Sequence, residues 1–142
     1  MADEVQINVG MNVNVPNTAP YRRQFQFQRD HSSYQGPTPG YLTATVTGIE
    51  VSLALLTNPS VAWVQNLSTL YRIVIGIKDT SSGIFYPLLE LDPLESWPLP
   101  LARMIGDELT GGSGSGTAGS GGVLWVKSIT SSADFVFEAF GR

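Results

Sequence analysis

From Val5 to Val15 every second residue is apolar: Val5, Ile7, Val9, Met11, Val13 and Val15 alternate with Gln6, Asn8, Gly10, Asn12 and Asn14. A period of two sends alternate side chains to opposite faces of an extended chain, whereas a helix would scatter these residues around its circumference. The segment therefore predicts a long strand with one face to bury. Pro16 and Pro20 follow, so the expected partner is not a tight hairpin neighbour. Residues 1–20 read as an N-terminal strand or arm, and residues 21–142 as a single β-sandwich domain.

The rest of the chain keeps the same character. Tyr21 to Arg29 alternates again, and Gly36-Pro37-Thr38-Pro39-Gly40 is dense turn chemistry, because proline fixes φ and glycine accepts positive φ. The apolar phase shifts between Leu42-Ala44-Val46 and Ile49-Val51-Leu53-Leu55, which predicts a bulge or turn at Gly48. Val61–Leu67 and Leu70–Lys78 read as neighbouring strands. Ile84–Leu91 reads as a strand that Pro87 confines to an edge or bulge. Asp92-Pro93-Leu94-Glu95 fits a type I turn, and the prolines of Trp97-Pro98-Leu99-Pro100-Leu101 exclude a central strand. Gly111–Gly122 contains only Gly, Ser, Thr and Ala, so it predicts a flexible surface loop, and Val123–Ile129 and Asp134–Phe140 close the chain as strands. Pro100–Leu109 is the one short helical candidate. The fold class expected is all-β, a β-sandwich of jelly-roll type with an extended N-terminal strand and a Gly/Ser-rich loop.

Chemistry-bearing residues are sparse. The chain has no cysteine, which removes thiolate nucleophiles, disulfides and cysteine metal sites. His31 is the single histidine, too few for a cupin-type metal site, and Asp30, Ser32 and Ser33 beside it do not make a triad, whose members converge in space rather than in sequence. It reads as a solvated loop residue. The carboxylates Glu90, Asp92 and Glu95, like Asp107 and Glu108, sit where turns and termini use them, and Asp79-Thr80-Ser81-Ser82-Gly83 offers one carboxylate where a calcium loop needs several oxygens. The glycine-rich run is followed by a strand, with no lysine before Lys127, unlike a phosphate-binding loop. The Asn66-Leu67-Ser68 sequon carries little information in a predicted strand end. No catalytic residue, cofactor or metal ligand is expected, and the chain reads as a non-enzyme. Among the tryptophans, Trp63 and Trp125 lie in apolar strands and are expected in the core, whereas Trp97, next to Pro98, is the candidate for an exposed contact.

Charge narrows the partners. Eight basic and twelve acidic residues give a net −4, and the longest cationic run is Arg22-Arg23, which disfavours nucleic acid. No apolar run approaches the roughly 20 residues of a membrane span, and no basic segment followed by an apolar one opens the chain, so neither membrane insertion nor a secretory signal is expected. Only 14 % of residues are charged, while 37 of 142 are Asn, Gln, Ser or Thr. Uncharged polar groups desolvate at lower cost than charges, which suits a surface made for self-assembly. In that setting Val5, Ile7, Val9, Met11, Val13 and Val15 would form an assembly arm that pairs with an exposed sheet edge.

Gln65-Asn66-Leu67, Tyr71-Arg72-Ile73-Val74-Ile75-Gly76 and Phe85-Tyr86-Pro87-Leu88-Leu89-Glu90-Leu91-Asp92-Pro93-Leu94-Glu95 together resemble a pattern in small structural proteins of tailed bacteriophages. The likeness covers roughly residues 61–101 plus a terminal strand. The chain departs from the pattern at Leu94, where a turn glycine is common, and in its glycine-rich insertion. The resemblance implies a virion component assembled in the host cytoplasm, a capsid decoration (cement) protein whose partners are itself, as a homo-oligomer and by analogy a trimer, and the major capsid protein. It transfers no catalytic residue. The alternative is a phage tail, fibre or carbohydrate-receptor-binding module that would use Trp97.

Overall fold

The computed structural model describes residues 4–13, 16, 21–30, 36–56, 59–101 and 122–141. They form ten strands and, among the described residues, no helix: β1 (Glu4–Val13), β2 (Tyr21–Asp30), β3 (Thr38–Ala44), β4 (Ile49–Glu50), β5 (Pro59–Asn66), β6 (Ile73–Asp79), β7 (Phe85–Leu91), β8 (Ser96–Pro100), β9 (Gly122–Ser128) and β10 (Ala133–Gly141). All pairings are antiparallel. One four-stranded sheet has the order β3-β10-β5-β8, a second has β4-β9-β6-β7, and β1 and β2 make a separate ribbon.

The order of the larger sheets has a simple logic. From β3 onward each strand pairs with its mirror image about the β6–β7 connection: β3 with β10, β4 with β9, β5 with β8 and β6 with β7. The chain is thus one long hairpin, rolled up so that β10 also meets β5 and β9 also meets β6. Rolling places alternate strands in opposite sheets and encloses one core between them.

That core follows the period-two pattern residue by residue. Along β10, Ala133, Phe135, Phe137 and Ala139 are buried, while Asp134, Val136, Glu138 and Phe140 between them are half-buried. Ala62 and Val64 of β5, Ile73 and Ile75 of β6, Leu91 of β7, and Leu124 and Val126 of β9 join the same cluster, so both sheets feed one sandwich interior. The sheet edges are blunted in several ways. β8 carries Pro98 and Pro100, β7 carries Pro87 beside a register shift at Ile75/Gly76, β3 carries Pro39, and β4 is only two residues long. Proline has no N–H to offer a neighbouring strand, and a short edge is a poor template for pairing.

Several expectations are corrected. The Gly36–Gly40 segment is not purely a turn, since β3 starts at Thr38; Gly36 and Gly40 take positive φ while the chain is already entering the sheet. β5 and β6 are not neighbours, because the connection at 67–72 crosses from one sheet to the other. The turn at 92–95 closes with Glu95 N–H donating to the Asp92 carbonyl at 3.1 Å, but Leu94 has φ 63°, the sign of a type II rather than a type I third position. The phase shift at Gly48 is a turn, with φ 88° and its N–H donating to the Thr45 carbonyl at 3.0 Å. β1 pairs with β2 across residues 14–20, which hold both prolines and are longer than a tight hairpin turn, as the prolines predict. The Pro100–Leu109 helix lies, apart from Pro100 and Leu101, outside the described residues, as do His31, Val15 and all but Gly122 of the glycine-rich run.

Candidate functional site

The ribbon and the surface beneath it form the most distinctive site. In the β1–β2 register Ile7 stands opposite Phe27, Val9 opposite Phe25, Met11 opposite Arg23 and Val13 opposite Tyr21, while Gln6, Asn8, Gly10 and Asn12 stand opposite Gln28, Gln26, Gln24 and Arg22. Directly opposite residues of an antiparallel pair share a face. Along β1, Ile7, Val9 and Met11 therefore share one face and Gln6, Asn8 and Asn12 the other, with Arg23 opposite Met11 on the first and Gln24 and Gln26 of β2 on the second. Gln6, Asn8, Gly10 and Asn12 are exposed, and Ile7 and Val9 are half-buried.

The ribbon meets the body over the outer face of the β3-β10-β5-β8 sheet. A cleft of about 260 Å³ there is lined by Gln6, Ile7 and Asn8 of β1 and by Val61, Ala62, Trp63 and Phe140 of the sheet. None of the seven is charged. Val61 is opposite Phe140 and in phase with Trp63, so it points away from the sandwich core, yet it is only 1 % exposed. A residue on an outer face is that deeply buried only when something lies over it.

Further along the sheet the cover ends. Trp63 is 37 % exposed, which corrects the expectation of a core tryptophan. Val61-Ala62-Trp63-Val64 is an unbroken apolar run, the pattern of a strand covered on both faces, but the outer cover is complete over Val61 and incomplete over Trp63.

The outer face of the other sheet is differently built. Trp125 lies there, half-buried rather than in the core, with its Nε1–H donating to the Thr47 carbonyl at 3.2 Å. Any side chain at Gly48 would collide with this indole, so the glycine is needed for close approach as well as for its φ. The two lysines of the chain flank it: Lys78 Nζ sits 3.9 Å from the Trp125 ring centroid and Lys127 Nζ 4.8 Å from that of Phe85. Such cation–π contacts fix the long side chains flat on the sheet.

The carboxylates serve local structure. Arg72 pairs with Glu90 at 3.2 Å and with Asp92 at 2.6 Å, all three well exposed. Glu95 accepts the Asp92 N–H at 2.8 Å. Asp79 accepts bonds from Ser81 N–H and from the Ser81 and Ser82 hydroxyls at 2.6–2.8 Å, and these hold its carboxyl down to about 2. The Tyr41 and Thr43 hydroxyls likewise keep the Asp134 carboxyl low, and the same Tyr41 contact pushes the phenol up. No group of three or more metal-ligating side chains occurs among the described residues. Nor, among them, is any helix long and apolar enough to cross a membrane.

Of the residues singled out from sequence, Val5, Ile7, Val9, Met11 and Val13 lie together on β1, and Val15 lies outside the described residues. Trp97, on edge strand β8, is 43 % exposed. It stands opposite Val64, whereas Trp63 stands opposite Pro98, so the two indoles belong to opposite faces of one sheet and Trp125 to another sheet. The tryptophans therefore make no common stacking platform. Comparison with known proteins finds no matching family model, curated protein or solved structure.

Proposed function

We propose that this chain is a structural, non-enzymatic virion protein that decorates or stabilises a tailed-phage capsid through self-assembly and capsid contacts. One observation carries the reading: the β1–β2 ribbon belongs to neither large sheet, and Ile7, Val9 and Met11 share one face of β1 that a two-stranded element cannot bury by itself. An element of that kind is useful where a second surface completes it. The charge-poor, amide-rich exterior supports the same reading, because two copies of a chain with net charge −4 meet with little repulsion through uncharged patches. We further read the rolled hairpin as a jelly roll, eight strands shared by two four-stranded sheets, an architecture that recurs in viral capsid domains.

Within residues 61–101, Asn66 donates to the carbonyls of Leu91 and Asp92 at 3.2 and 3.0 Å, so the first and last segments that carry the resemblance meet in one structural joint. The test is co-sedimentation of the purified chain with tailed-phage heads, together with mass spectrometry and cryo-electron microscopy of a particle that carries it. Saturable head binding and ordered density on the capsid lattice are expected. Absence of head binding, with density confined to tail fibres or with glycan binding abolished by Trp97→Ala, would replace capsid decoration by receptor binding.

A further inference from the structure

We infer that the ribbon is an exchanged element: residues 4–30 of one copy seat on the outer face of the β3-β10-β5-β8 sheet of a second copy of this chain. The inference rests on the self-assembly reading above and adds the surface, the partner and the mode.

The ribbon's hydrogen-bonded ladder is internal. β1 pairs with β2 along its whole length, and among the described strands neither pairs with any strand of the body. Between it and the body lies the cleft lined by Gln6, Ile7 and Asn8 on one side and Val61, Ala62, Trp63 and Phe140 on the other. Removing the ribbon from its own body and placing it on an identical one therefore breaks no strand pairing and recreates the same contacts. That equivalence is what makes exchange of an identical element a low-cost route to oligomers. Only residues 31–35 separate β2 from Gly36, so the ribbon and body are joined by a single crossing of the chain.

Two observations favour the second copy as occupant. The seven residues that line the cleft carry no charge, so chains of the same net charge meet there without repulsion. Met11, on the same face of β1 as Ile7, is 49 % exposed, whereas Ile7 lines the cleft. Placed between two bodies, Met11 gains a cover that one body does not provide.

The absence of native cysteines makes the test clean. Two single-cysteine chains, Asn8→Cys and Trp63→Cys, are co-expressed and treated with a short bis-maleimide. Exchange predicts a linked product that contains one chain of each kind. An unlinked mixture, or links only between like chains, overturns it, as does an internally linked monomer from the double variant. Should either substitution impair folding, sedimentation equilibrium of the unaltered chain decides: a closed dimer or trimer is expected, and a monomer at tens of micromolar overturns exchange. Head binding is read separately, so an exchanged oligomer that ignores capsids defeats the decoration reading alone.

Discussion

At the scale of single residues, Asn66 shows how a polar side chain can hold a β-sandwich together. It is fully buried, its amide nitrogen lies 2.9–3.2 Å from the carbonyls of Tyr71, Leu91 and Asp92, and its Oδ1 accepts the Ser68 N–H at 3.0 Å. Asn66→Ala is expected to cost about 3 kcal/mol, because the buried Leu91 carbonyl and the part-buried carbonyls of Tyr71 and Asp92 lose their donor at once. Asn66→Asp should be no better, since a carboxylate accepts where these carbonyls need a donor; urea denaturation of both variants measures it. The sequence displayed this residue only as a sequon and as part of a resemblance, because its partners lie as far away as Asp92. Leu94 was the more legible one. It departs from the expected turn glycine and is held at φ 63° with its side chain exposed. A left-handed conformation costs a leucine about 1–2 kcal/mol, and glycine gives back part of that in chain entropy. Leu94→Gly should therefore raise stability by up to about 1 kcal/mol, seen as a higher denaturation midpoint at unchanged slope.

At the scale of elements, period-two patterning located the strands but not their sheets. The alternation in β10 marks which residues face inward, and the same information is silent on whether the neighbour is β9 or β5. Adjacent strands β5 and β6 were expected to pair, yet the 67–72 connection crosses the sandwich, since rolling the hairpin requires alternate strands to part. Edges were better forecast: Pro87 and Pro98 exclude central positions for a reason local to the residue. Trp125 was misplaced because a tryptophan among valines looks like core, while its outward berth depends on Gly48, distant in sequence and packed against it. The β6–β7 connection makes its own prediction. Asp79, held at about 2 by Ser81 and Ser82, ordinarily titrates near 3.8, so the unfolded chain takes up this proton first as pH falls. The stabilisation is present in full above about pH 4 and disappears as pH drops through 2. Asp79→Asn should flatten that part of the curve of melting temperature against pH; a curve unchanged in slope would remove the turn's role.

At the scale of the whole molecule, the long hairpin and the ribbon differ in what closes them. In the two large sheets β10 has neighbours on both sides and β9 has β6 along its length, so their amides exchange only when many distant pairings open together. The ribbon has one internal pairing and, among the described strands, none with the body. Its amides should therefore exchange with solvent by local detachment, well below the free energy of global unfolding. Hydrogen exchange read by mass spectrometry is expected to show residues 4–13 and 21–30 exchanging first in dilute chain, with β5, β9 and β10 last. Raising the concentration, or adding capsids, should slow the ribbon and leave the β10 core unchanged, because assembly adds a cover only where one body leaves the apolar face incomplete. Equal protection of ribbon and β10 at every concentration would mean that the ribbon is an integral layer of a self-sufficient fold, and the physical reason to assign it to assembly would be gone.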